Sequence, residues 1–100
     1  MLWCITCVDK PSDDSARQSV LETHRAYLKT QADKIVMSGA TLSDDGETMT
    51  GSCFIIAAES RAEAEAFSNN DPFTEAGVFS SVTVTRMKKS TFIPENYEKA

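Results

Sequence analysis

The chain has a single histidine, His24, seven positions after Arg17. Seven residues make nearly two turns of an α-helix, so both side chains project from about the same face. Histidine changes charge near neutral pH, which makes it the commonest general acid or base. A carboxylate on one ring nitrogen fixes its tautomer and orientation. Val20, Leu21 and Leu28 lie beside it, placing the imidazole at the margin of an apolar stripe rather than among solvated charges. A second feature is Asp71-Pro72-Phe73. This triplet is a complete helix start: Asp caps free N–H groups, Pro suits the first helical position and Phe73 anchors the turn. It acts on His24 only if the connection into the last strand lies at the open end of the fold, near the first helix. Without that contact, His24 is a packed histidine with satisfied polar atoms.

Cys4-Ile5-Thr6-Cys7 has the spacing of half a zinc site or of a redox pair. Zinc needs further ligands, and the chain offers only Cys53 and His24, without the usual spacing. A redox pair sits at a helix start, whereas this one falls in a predicted strand, where residues three apart point to opposite faces. Structural thiols are expected, and no metal. The run Arg86-Met87-Lys88-Lys89 reads as the solvated end of a strand. Met37, Met49 and Met87 read as core filler, and Trp3 and Tyr27 as pocket or interface rings.

The elements that must position these residues follow from local pattern. Leu2 to Val8 suits a strand, and Asp9-Lys10-Pro11 stops it. Ser12-Asp13-Asp14-Ser15 offers N-caps for a helix predicted over 15–32, which contains neither Gly nor Pro. Lys34 to Leu42 and Met49 to Ala58 form a hairpin about the turn signal Ser43-Asp44-Asp45-Gly46, with Gly39 permitting a bend or a close backbone approach. The capping box Ser60-Arg61-Ala62-Glu63 opens a second helix through Ser68. A short turn from Asp71-Pro72 closes at Gly77, and Val78 to Met87 is the fourth strand. The tail from Lys88 is polar, with Phe92, Ile93 and Tyr97 as its only anchors. The order βαββαβ predicts a ferredoxin-like α+β fold, a four-stranded antiparallel sheet with two helices on one face. Residues 1–89 form one domain and 90–100 a C-terminal tail. The sheet's other face, to which alternating residues such as Ile5, Phe54 and Ile56 are assigned, is too apolar for water. A homodimer through the sheet faces, a dimeric α+β barrel, is the economical cover.

Composition excludes other classes. One hundred residues allow one domain, and 41% hydrophobic with 25% charged residues is ordinary globular usage. Net charge −5 has the wrong sign for nucleic acid. No apolar run approaches the roughly 20 residues of a membrane helix, and the opening Met1-Leu2-Trp3-Cys4 lacks a signal peptide's pattern. With three cysteines and no disulfide framework, the expected location is cytoplasmic.

ARQSVLETHRAYL (16–28), Ser38-Gly39, Gly51-Ser52 and NNDPFTEAGVFSSVTV (69–84), closing with Lys88-Lys89, together resemble the YciI-like, or YCII-related, family over roughly Met1 to Lys89. The most specific part is Asp71 to Phe79, at the right distance from a helix-borne histidine. The resemblance implies a dimeric ferredoxin-like protein in which His24 and Asp71 are a candidate acid/base pair. One branch of the family is a dehydrochlorinase acting on a chlorinated hydroxyhydroquinone. The implied activity is a cofactor-independent lyase or isomerase of small cyclic enolic or quinonoid substrates, with Arg17 or Ser38 holding a substrate oxygen and no metal. Ala40 stands where many relatives have proline, and the tail runs past their usual end; both bear on the pocket and hence the substrate. The alternative is a non-catalytic dimeric module binding a small ligand or a protein partner. A thiol protein using Cys4 and Cys7 is the third reading.

Overall fold

In the computed structural model, which describes residues 1–11 and 15–100, the first strand is central. β1 (Leu2–Asp9) lies between β3 (Met49–Ala57) and β4 (Phe79–Met87), and β2 (Ile35–Leu42) forms the edge beyond β3. All three pairings are antiparallel, in the order β2-β3-β1-β4, as the βαββαβ reading requires. The β2–β3 hairpin closes at the expected turn, where Gly46 takes φ 76°, a left-handed conformation open to glycine at little cost. The fold is a ferredoxin-like α+β sheet with one face covered by helices.

Register decides that face. Trp3, Ile5 and Cys7 of β1 stand opposite Ile56, Phe54 and Ser52 of β3, all buried. They pack with Ala64 and Phe67 of α3 (Arg61–Asn69) and Phe73 of α4 (Pro72–Glu75), with Leu21 and Leu28 of α2 (Leu21–Thr30) at the margin. Burying a side chain such as Ile5 contributes about 1.5–3 kcal/mol. Ile5, Phe54 and Ile56 therefore belong to the helix-covered core, which corrects their assignment to the uncovered face. That open face carries Cys4, Thr6 and Val8 of β1, Cys53 and Ile55 of β3, and Met37 and Met87, with Val8, Met37 and Met87 exposed. Met37, Met49 and Met87 are not core filler: all three are exposed. Cys4 and Cys7 point to opposite faces, as strand geometry demands.

The first helix is two pieces, α1 (Ser15–Ser19) and α2, broken at Val20, whose φ −117° and ψ 9° leave the helical range. No Gly or Pro announces this break; it coincides with Arg17 turning into the end of the sheet. The expected caps Ser12, Asp13 and Asp14 lie outside the described residues. Ser60 accepts from the Glu63 amide at 3.1 Å, while the Glu63 carboxylate reaches the amide of Glu59 rather than that of Ser60. Asp71 caps α4 with Pro72 at its first position, and Gly77, at φ 71°, ends the turn. A Cβ on Gly39 would meet nothing within 4 Å, so no close approach requires glycine there, whereas a Cβ on Gly51 would collide with the Cys7 carbonyl. The tail contains a short helix, α5 (Pro94–Lys99), that the sequence reading lacks. Phe92, Ile93 and Tyr97 are exposed and do not serve as anchors.

Candidate active site

Asp71 is 1% exposed, and one oxygen organises its surroundings. Oδ1 accepts from the Phe73 amide at 2.9 Å and meets His24 Nδ1 at 2.7 Å. A carboxylate only accepts, so the proton is assigned to Nδ1 and the lone pair of the neutral ring to Nε2. His24 is 8% exposed, and among the described residues Nε2 has no hydrogen-bond partner. The chain brings the pair together across 47 positions because α4 starts beside the inward face of α2.

The imidazole lies flat on the Phe73 ring, centroids 3.7 Å apart and planes within 5°, and meets Phe54 edge-on at 6.5 Å. Phe73 thus touches the histidine with its ring and the aspartate with its backbone. Ser38 stands half-buried on β2, opposite Phe54 in register and so on the His24 side of the sheet. Among the described residues no hydrogen bond joins it to His24 or Asp71.

Arg17, 5% exposed, is committed to the protein. Nε and Nη2 donate to the two carboxylate oxygens of Asp9 at 3.1 and 3.0 Å, a bidentate fork. Nη2 also donates to the Gly51 carbonyl at 2.9 Å and to Ser52 Oγ at 3.2 Å. The guanidinium carbon lies 4.8 Å from the Phe73 ring centre. The ties of Arg17 to Asp9, Gly51 and Ser52 were missed in the sequence, where Gly51-Ser52 enters only through the family resemblance. Asp9 reads there as a strand end, and no local signal ties it to Arg17.

Beneath the site, burial above all pushes the Cys7 thiol up to about 12, helped by the negative charges of Asp71 and Asp9. Such a thiol is protonated at neutral pH and a poor nucleophile, against the thiol-protein reading. Burial, then Asp71 and Glu75, also raises Tyr27, whose hydroxyl donates to the Phe67 carbonyl at 2.8 Å. Among the described residues no three His, Cys, Asp or Glu side chains are grouped to hold a metal. An open groove of about 660 Å³ lies by Met1, Arg86 and Lys88, and another of about 400 Å³ by Arg61 and Val82. Neither is lined by His24 or Asp71. No described helix is long and apolar enough to cross a membrane.

The profile of the YCII-related domain matches residues 1–88. The YciI protein of Escherichia coli O6:H1 is 32% identical, covering 89% of this chain and 98% of its own length. An uncharacterised Haemophilus influenzae protein is 33% identical with the same coverage. Among solved structures, a 5-chloro-2-hydroxyhydroquinone dehydrochlorinase from Burkholderia phenoliruptrix AC1100, in complex with 2,5-dihydroxybenzoquinone, superposes with a TM-score of 0.82. It is 39% identical over 90% of this chain and 96% of that one. On the strength of a profile spanning nearly the whole fold and relatives at this identity, the chain belongs to the YCII-related family.

Proposed function

We propose that the protein is an enzyme of small cyclic enolic or quinonoid compounds, a lyase or isomerase driven by proton transfer from His24 and Asp71. The observation that carries this is the 2.7 Å contact between His24 Nδ1 and the buried Asp71 carboxylate, which leaves Nε2 as the working nitrogen. Asp71 holds the ring's tautomer and stabilises the imidazolium formed when Nε2 takes a proton. The likeness to a dehydrochlorinase supports the substrate class. In an elimination, Nε2 removes a proton from the ring substrate, its electron pair moves through the conjugated system and chloride leaves, for a net loss of HCl. In an isomerisation the same proton returns at another carbon. The side chains present supply all of this, so the proposed reaction calls for no cofactor. Ser38 would meet a substrate oxygen, a role its position on the same side of the sheet supports.

The exposed Val8, Met37 and Met87 support a homodimer that covers the open sheet face. The activity test is chloride release and quinone absorbance with chlorinated hydroxyhydroquinones, comparing wild type with His24→Asn. Turnover lost in the variant supports the reading. No turnover by wild type, together with binding of a quinone, would give the site to a binding module.

A further inference from the structure

We infer that Arg17 is a positioning residue, acting on His24 through Phe73, rather than a ligand for a substrate anion. The inference rests on the acid/base reading of His24 for its kinetic consequence only. Three observations carry it. First, Arg17 is 5% exposed and its charge is met by Asp9 through a bidentate fork at 3.0 and 3.1 Å. An anion arriving from solvent would compete with the part-buried Asp9 carboxylate already in place. Second, the bonds to the Gly51 carbonyl and Ser52 Oγ tie the same group to the start of β3, so the ends of β1 and β3 fix where it lies. Third, that fixed plane rests 4.8 Å from the centre of Phe73, and Phe73 stacks on the imidazole at 3.7 Å within 5°.

The sheet ends thus hold Arg17, Arg17 holds the Phe73 ring, and the ring sets the plane of the imidazole whose Nδ1 meets Asp71. A hydrogen bond to one ring nitrogen leaves the imidazole free to rock about that bond, and the stacked ring removes this freedom. Gly51 belongs to the same device: its carbonyl accepts from Arg17 where a side chain would strike the Cys7 carbonyl.

The test is the NMR spectrum of the His24 ring, the only histidine signals in the chain. Stacking over Phe73 moves the ring protons upfield through the aromatic ring current. In Arg17→Met and Arg17→Lys, folded by circular dichroism, that shift should shrink in both, because Lys keeps the charge but neither the fork nor the plane. Should either variant fail to fold, Asp9→Asn, which keeps shape and loosens the fork, should give a smaller change in the same direction. With an active substrate, kcat should fall about 10- to 100-fold in Arg17→Lys while KM stays within about threefold. Unchanged ring shifts in the folded variants overturn the inference. So does a rise in KM at constant kcat that Lys restores, which is the signature of a substrate ligand. Absence of turnover in wild type defeats the proposed function and leaves the ring-shift measurement to decide this relay alone.

Discussion

Replacing Asp71 separates its two duties, and the structure sets the size of each. In Asp71→Ala, the Phe73 amide loses its cap, a loss of about 0.5–2 kcal/mol. The buried Nδ1–H of His24 loses its acceptor as well, which costs about 1–3 kcal/mol. Together these give about 1.5–5 kcal/mol, or a fall in Tm of roughly 6–40 °C for a domain of this size. Asp71→Asn keeps an oxygen that can accept from both groups and loses only the charge, so its stability should fall by about 1–2 kcal/mol. Its catalysis should fall much further, by about 100-fold or more, because an amide can turn its NH2 toward the ring and reverse the tautomer, and it stabilises an imidazolium poorly. Urea unfolding measures the first quantity, chloride release or proton exchange the second, and ¹⁵N shifts of the imidazole report the tautomer directly. An Asn variant with full turnover and an unchanged tautomer would refute the acid/base role and reduce Asp71 to a helix cap. An Ala variant within about 1 kcal/mol of wild type would refute the paired-contact account altogether.

Three further expectations follow from other parts of the structure. Gly51→Ala places a methyl against the Cys7 carbonyl, forces β1 and β3 apart and should destabilise by about 1–3 kcal/mol in urea. Cys7 ionises at about 12 in the folded chain against an ordinary 9.0, so the unfolded chain loses that proton first and binds fewer protons between these values. Stability should therefore fall as pH rises from 9 toward 12, and Cys7→Ala should flatten the slope in denaturation at stepped pH. Met37→Glu puts a charge on the exposed, open sheet face without touching the core, so the proposed dimer should dissociate in sedimentation velocity while circular dichroism is unchanged.

Much of the fold was legible locally because strands and caps are written in short patterns. The strand-favouring residues of LWCITCV, the Asp-Gly turn and the capping box at Ser60 each act over a few residues, and their order implied the sheet. The break at Val20 was not legible, since Ser15 to Ala32 holds no helix breaker and the tertiary placement of Arg17 overrides local propensity. Neither was the inward face: alternation says that residues two apart share a side, and only the helices decide which side is covered. This is why Ile5, Phe54 and Ile56 were placed on the wrong one.

The site divides in the same way. Residue types and helical spacing singled out His24, Arg17 and Asp71, and the family likeness paired two of them. The sequence by itself determined which chemically able groups exist and which local element each starts or rides on. Tertiary structure alone decided that Asp71 Oδ1 serves a helix cap and an imidazole at once, and that Asp9 occupies the guanidinium of Arg17. The physical reason is range: caps and periodicity act over three or four positions, whereas these contacts join side chains up to 47 positions apart whose meeting depends on how every intervening element packs.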